Sequence, residues 1–306
     1  MKTERPSVSA VVATRDRPEL LRRAVRAILD QVYDGPIECV VVFDGTEPQD
    51  LSDVAPPDGA DRSLTVIRNT RTPGLAGARN TGAERAAGSL LSFCDDDDEW
   101  LPGKLAAQVD ALEVAGADVV VTGIEVEYQG RTSVRVPDDP VTLERLLHSR
   151  ATEIHPSTVL VRAEAFAGPI GPVDEAIPGS YGEDYEWLLR AAARGQIAAV
   201  ERPLVRVHWG GSLFADRWQT IADAIAYLLA IHPELATDRG NAARLYGRVA
   251  FAHAALGHRK DAARWAWRSV CTRPWERRPY LALAVAGGLV KASTVQDRAN
   301  KAGRGV

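Results

Sequence analysis

The sequence predicts an α/β fold: a sheet with parallel strands covered by helices on both faces, followed by a helical C-terminal region. Three observations predict it. Over the first 118 residues short apolar runs alternate with stretches of helical periodicity, and strands that read as continuous apolar runs are those buried on both faces of a parallel sheet. From Val119 the strand signals become those of an antiparallel pair, so the sheet is mixed. From Trp218 onward the pattern is helical throughout. The expected division is a domain over residues 1–215, with halves 1–118 and 119–215, and a helical region over 216–306.

The elements follow in order. "VSAVVA", Val8 to Ala13, is a β-branched apolar strand. "RPELLRRAVRAILDQ" places Leu20, Leu21, Ala24, Val25, Ile28 and Leu29 on one face of a helix that starts just after Pro18. "IECVVVF" (Ile37 to Phe43) and "SLTVIRN" (Ser63 to Asn69) read as further strands, Gly74 to Ala87 as helix, Ser89 to Cys94 as a fourth strand, and Leu101 to Ala115 as an amphipathic helix. "DVVVTGIEVEYQGRTSVRV" reads as a strand pair turning near Gln129–Gly130. A short helix, "LERLLHS", a strand, "STVLVR", and a helix from Glu183 that stops at Gly195 come next. "LVRVHW", Leu204 to Trp209, is the last strand. "ALGHRKDAARWAWRSVCTRP" resembles one helical-repeat hairpin, but no second copy follows, so residues 216–306 read as a tail and not an array.

Composition bounds the function. Across 306 residues, 45% are hydrophobic and 25% charged, as in a globular protein. Cys39, Cys94 and Cys271 are far apart and form no CxxC pair, which argues against a zinc site or disulfide framework and fits a cytoplasmic location. No signal-peptide core precedes the first strand, and "YLALAVAGGLV" near the C-terminus is 11 residues, too short to span a bilayer. Charge is uneven: from Arg239 onward fourteen Lys/Arg face three acids, about +11, against 23 basic and 38 acidic residues before it, about −15. The tail is either a solvated basic face or a peripheral contact with an anionic surface such as the inner face of a membrane. A nucleic-acid partner is not expected.

Chemistry concentrates where strands end. "SLLSFCDDDDEW" runs from an apolar strand into Asp95, Asp96, Asp97 and Asp98. Carboxylates held together repel unless a cation neutralises them, and hard divalent cations take oxygen ligands together with substrate phosphates. If the segment is extended, Asp95 and Asp97 point the same way and share one ion; otherwise all four fan out into water. "TRDR" (Thr14 to Arg17) follows the first strand and "DGT" (Asp44 to Thr46) the second. These segments share the carboxyl edge of the sheet, where ligands of such folds bind.

"VSAVVATRDRPELLRRAVRAILDQ", "ECVVVFDGT", "NTRTPGLAGARNTGAERAAGSLLSFCDDDDEWLPGKL" and "GEDYEWLLRAAARG", in this order and spacing, resemble the inverting family-2 glycosyltransferases of the GT-A fold. The resemblance covers residues 6 to about 214. It implies that Thr14, Arg15 and Asp16 line a nucleobase pocket, with Asp44 accepting from the base. The family often carries two aspartates where this chain has Phe43–Asp44. Arg79 and Asn80 are implied near the diphosphate, or else Arg79 is a surface helix residue. Asp95 and Asp96 are assigned to the nucleotide, and Asp97 is the main metal ligand with Asp95. His208 completes the shell, unless it is structural. The cofactor implied is Mn2+ or Mg2+. Asp184 is the implied base that takes the acceptor proton, with Glu183 beside it. The alternative for both acids is simple stabilisation of a helix start by the dipole. Trp100, Trp187 and Trp209 stack on sugars or belong to the core.

The function expected is metal-dependent inverting transfer from a nucleotide diphosphate sugar, a UDP-sugar, to a hydroxyl of a saccharide or lipid-linked acceptor. Two alternatives stay open. A nucleotidyltransferase would want a glycine-rich, lysine-bearing loop after the first strand, and "ATRDRPE" has neither residue. A non-catalytic binding or scaffold protein would not need Asp44, Asp97 and Asp184 together.

Overall fold

The computed structural model describes residues 5–56, 61–128, 130–148, 150–208 and 217–301. β1 (Val8–Thr14), β2 (Ile37–Phe43) and β3 (Arg62–Arg68) are connected through α1 (Pro18–Leu29) and the segment after β2. α2 (Leu75–Arg85) then leads into β4 (Leu90–Asp95). These four strands lie parallel in the order β3-β2-β1-β4. Every residue of β1 is buried and all but Glu38 of β2, the pattern of strands covered on both faces. Leu21, Ala24, Val25 and Ile28 of α1 share one core with Val8, Ala10 and Val12.

α2 covers β1 and β2 without an apolar stripe. Small residues let it approach instead. A Cβ on Gly82 would stand 2.3 Å from Val11 Cγ1 and 3.1 Å from Val42 Cγ2, and one on Gly77 1.9 Å from the Thr72 carbonyl oxygen.

The sheet continues with strands of both directions. β5 (Asp98–Trp100) precedes α3 (Lys104–Ala115), and β6 (Val119–Tyr128) turns back into β7 (Arg131–Arg135). α4 (Leu143–His148), β8 (Leu160–Arg162) and α5 (Ala163–Ala167) follow, then α6 (Glu183–Arg194) and β9 (Ile197–His208). The order runs on from β4 as β8-β6-β9-β5, with β7 on β6. β6 and β9 run with β4, and β5, β7 and β8 run against it. β9 begins seven residues earlier than the expected Leu204, and the reason is local. Pro203 interrupts the strand signal, but the β6–β9 register shifts at Gly123, which pairs with Pro203, and a bulge tolerates a residue without an N–H. The chain is therefore a mixed α/β sheet with helices around it.

The chain divides into two compact units. One comprises Met1–Leu146, Arg150–Glu175 and Glu183–Gly210; the other comprises Leu147–Ser149, Ala176–Gly182 and Gly211–Val306. Two short stretches that the sequence assigns to the first domain therefore belong to the helical unit. That unit holds α7 (Trp218–Ile231), α8 (Arg239–Ala255), α9 (Arg259–Thr272), α10 (Arg278–Ala286) and α11 (Ala292–Lys301). Its core uses Phe251 with Ala250, Ala254, Ala262, Ala266 and Ala282, small side chains that bring helix axes close. Asp238 caps α8, its carboxylate accepting from the Asn241 N–H at 2.6 Å. Among the described residues no helix is long and apolar enough to cross a membrane.

Candidate active site

Parallel register assembles the site. Thr14 lies opposite Phe43, and Ala13 opposite Asp95, so β1, β2 and β4 end at one edge with Thr14, Asp44 and the aspartates side by side. The cluster itself is not extended. Asp96 and Asp97 form a turn between β4 and β5, which corrects the expected alternation of Asp95 and Asp97. The turn brings Asp95 back toward Asp98, and both meet His155: one ligand-capable atom of each lies within 4.8 Å of the others. His155 Nδ1 is 2.9 Å from Asp98 Oδ2, and its Nε2 is 3.8 Å from Asp95 Oδ2. Ser157 orders the pair, its hydroxyl donating to Asp98 Oδ2 at 2.5 Å and accepting from the Asp95 N–H at 2.9 Å.

Electrostatics follow from crowding. Burial, then repulsion from Asp95, Asp98 and Asp96, pushes the Asp97 carboxyl up to about 6, although Arg17 pulls it down. Arg17 Nη1 bridges Asp96 at 3.1 Å and Asp97 at 2.8 Å. Asp96 accepts from the Thr14 hydroxyl at 2.8 Å, and its burial raises it too. Burial lowers His155, but attraction to Asp98 prevails and holds it up at about 9. The donor set fits a hard divalent cation: oxygen ligands in excess and one imidazole, with repulsion that a cation would relieve. His155 must shed its extra proton to act as a ligand.

His208 is placed elsewhere, Nε2 2.6 Å from Glu99 and Nδ1 3.4 Å from Glu127. Its position follows from β9 pairing with β5 and β6, which sets His208 opposite Glu127. Trp209 lies outside the described residues. Trp100 and Trp187 are both buried core side chains; the Trp187 indole donates to the Gly171 carbonyl at 3.0 Å.

Beyond the end of β1, Arg15 and Asp16 are exposed, and Asp16 adopts φ 55°, a left-handed turn that aspartate tolerates. Asp44 is nearly buried and its carboxylate accepts from Asn69 Nδ2 at 2.8 Å and from the Gly74 N–H at 3.1 Å. It thereby ties the end of β2 to the loop before α2. Asn80, 2% exposed, donates to the Val173 carbonyl at 2.8 Å and to Glu175 Oε1 at 2.7 Å, and accepts from the Val173 N–H at 2.9 Å. It clamps the loop before α6.

Arg79 is not a surface residue. It is 4% exposed and pairs with Asp95 at 2.6 Å and with Glu183. One guanidinium thus links the aspartate cluster to the start of α6. Glu183 is raised by burial, against the pull of Arg79. Asp184 differs. Burial pushes it up, but Arg150, then Arg79, the Tyr185 N–H and His155 outweigh that and hold it below the usual carboxylate range. Arg150 Nη2 reaches both Asp184 oxygens, at 3.0 and 2.9 Å.

Sequence reasoning did not single out His155, Ser157 or Arg150, and noted Arg17 only as part of "TRDR". The signal available was "EIHPST", a histidine and hydroxyls just before a strand, which is weak by itself because its partners lie about sixty residues away.

A mixed sheet whose parallel strands end in carboxylates, with helices around it, is the architecture of the GT-A fold. Residues 9–168 match the glycosyl transferase family 2 pattern, and the chain belongs to that family. It is similar to the succinoglycan biosynthesis protein ExoO of Rhizobium meliloti (strain 1021), 32% identical over 211 residues that cover 64% of this chain and 58% of that one. It is also similar to an Escherichia coli protein, the UDP-Glc:alpha-D-GlcNAc-diphosphoundecaprenol beta-1,3-glucosyltransferase WfaP. That match is 27% identical over 128 residues, 38% of this chain and 50% of that one. In both cases the matched part spans less than two thirds of the relative. Among solved structures, S. aureus TarS 1-349 in complex with UDP-GlcNAc shares the fold, with TM-score 0.60, 15% identity and coverage of 97% and 92%. So does the mannosyltransferase PcManGT of Pyrobaculum calidifontis in complex with GDP-Man and Mn2+, with TM-score 0.55, 19% identity and coverage of 93% and 87%.

Proposed function

We propose that the protein transfers a sugar, with inversion, from a UDP-sugar to a hydroxyl of a saccharide or lipid-linked acceptor in a divalent-metal-dependent reaction. The observation that carries the reading is the Arg79 bridge, which joins the acid cluster at the end of β4 to Glu183–Asp184 at the start of α6. Donor-side carboxylates and Glu183, the neighbour of the acceptor-side base, are thus held by one buried side chain. The names of the relatives support the substrate classes: polysaccharide assembly for ExoO, a UDP-sugar donor and a diphosphoundecaprenol acceptor for WfaP. Free Cys39, Cys94 and Cys271 fit a cytoplasmic protein, and the basic residues after Arg239 suit contact with the membrane that carries such acceptors.

In this reading Thr14, Arg15, Asp16 and Asp44 surround the nucleoside, and Asp96, fixed by Thr14 and Arg17, sets the edge of that pocket. Asp95 and Asp97, with Asp98 and His155 beside them, are the groups that would hold Mn2+ or Mg2+. When bound, the ion supplies charge stabilisation to the departing diphosphate. His208 faces Glu99 and Glu127, so its part is to fix β9 against β5. Asp184 is the base. It accepts the acceptor hydroxyl proton as that oxygen forms its bond to the anomeric carbon, while the bond from that carbon to the diphosphate breaks and the diphosphate leaves with the electron pair. A carboxylate suits this role when it is ionised and aimed; Arg150 keeps Asp184 ionised, and Glu183 is anchored by Arg79. The test is turnover of a nucleotide-sugar panel, UDP and GDP sugars included, with a mixture of saccharide acceptors. Asp184→Asn should cut turnover by about 10²–10⁴-fold and leave nucleotide binding intact. Full activity in Asp184→Asn removes the base assignment, and turnover of no donor by the wild type removes the reading.

A further inference from the structure

We propose that the outward face of α9 and the loop after it form a docking surface for an anionic phospholipid bilayer. This rests on the reading above, in which the basic helical region meets a membrane, and it names the residues that do so.

α9 buries Ala262, Ala266 and Ser269. At 100° per residue the opposite stripe carries Lys260, Arg264, Trp267 and Cys271, all exposed. Trp267 is 70% exposed, and Trp275, in the loop that follows, is 86% exposed. The other tryptophans of this unit are used internally: Trp218 packs edge-on against Phe251 at 5.5 Å, and Trp265 lies 5.7 Å from Tyr246. Two indoles in water beside two that build the core need a reason, and large exposed apolar groups mark interaction sites.

Charge identifies the partner. Residues 259–278 contain seven Lys/Arg and two acids, a net +5. Both acids are engaged within the segment: Asp261 with Arg264 at 3.5 Å, and Glu276 with Arg278 at 2.8 Å. The face therefore presents cations interleaved with indoles and no unpaired carboxylate. A second copy would bring the same positive face and repel. A headgroup layer of anionic lipid attracts the cations, and the indole is the side chain that settles at that depth, its ring among acyl chains and its N–H among headgroups. Binding of this kind scales with the apolar area buried plus the attraction to anionic lipid, and this face offers both.

The test is co-sedimentation of the full chain with vesicles of phosphatidylcholine alone and with an equal mixture of phosphatidylcholine and phosphatidylglycerol, at low and high salt. The wild type should pellet only with the mixture, and salt should release it. Trp267→Ala/Trp275→Ala and Lys260→Glu/Arg264→Glu should each weaken binding by at least about tenfold. The circular dichroism spectrum should stay unchanged, because these side chains are exposed. Wild type that stays in the supernatant with the mixture, or a double tryptophan variant that binds like wild type, overturns the proposal. So does a concentration-dependent dimer, seen by ultracentrifugation, that the tryptophan substitutions abolish without affecting vesicle binding. Nucleotide binding measured on the same preparations separates the two readings. Vesicle binding without any nucleotide binding leaves the surface standing and removes the transferase reading, and the reverse result removes only the surface.

Discussion

Replacing Lys104 by methionine should change how stability depends on pH. Lys104 begins α3 fully buried, its ammonium 3.8 Å from the centre of the Trp100 ring and donating to Ser92 Oγ at 3.1 Å. Burial pushes it down to about 7, whereas in the unfolded chain it titrates near ~10.4. Between those values the unfolded chain holds a proton that the native one lacks, so native stability rises with pH across the window and is flat for this group outside it. The slope is about 1.4 kcal/mol per pH unit, which over the window amounts to something on the order of 4 kcal/mol. Methionine fills a similar volume and removes the titration. Ser92 keeps its own acceptor, the Val159 carbonyl at 2.5 Å, so the substitution leaves no buried donor unpaired. Urea unfolding midpoints of both proteins at about pH 6 and about pH 9.5 provide the assay. Relative to the variant, the wild type should gain stability on going to the higher pH. Parallel curves, with the same wild-type-to-variant difference at both values, refute the reasoning.

Arg79→Met leaves Asp95 and Glu183 with a buried counter-charge missing and should cost about 3–5 kcal/mol in urea unfolding; adding Glu183→Gln should recover part of that loss. Gly82→Ala drives a methyl into Val11 and should cost about 1–3 kcal/mol by separating α2 from the sheet, read as a lower unfolding midpoint. Arg150→Gln removes the nearest cation from Asp184 and raises its pKa. Since the base works ionised, the acidic limb of the kcat profile should move to higher pH, and an unmoved limb excludes Asp184 as the base.

Much of the fold was legible because a buried parallel strand has no polar face to hide. β1, β2 and β4 announce themselves as continuous apolar runs, and their shared direction put Thr14, Asp44 and the aspartates on one edge before any coordinates. β5 was not legible: three residues beginning Asp98–Glu99 look like loop, and only pairing with β9 makes them strand. That short strand is what makes the aspartates turn, so Asp95 and Asp97 do not alternate as they would in an extended segment. The acids at the site were visible as a motif, but their partners were not. Arg150 and His155 are single residues in loops, and what selects them is contact with Asp184 or Asp98 across dozens of residues. Local patterning carries no record of such contacts. Asn80 and Asp44 were visible as polar residues near the edge, while the clamps they make on neighbouring loops appear only in three dimensions.

The central claim is that the aspartate cluster holds a nucleotide diphosphate through a divalent cation. Calorimetric titration of UDP and GDP into the wild type and Asp97→Ala, with Mn2+ and then with EDTA, tests it most directly. UDP should bind the wild type only with the metal, and Asp97→Ala should lose that binding while keeping its fold. Binding that is indifferent to EDTA and to Asp97, or no binding of either nucleotide, would contradict it.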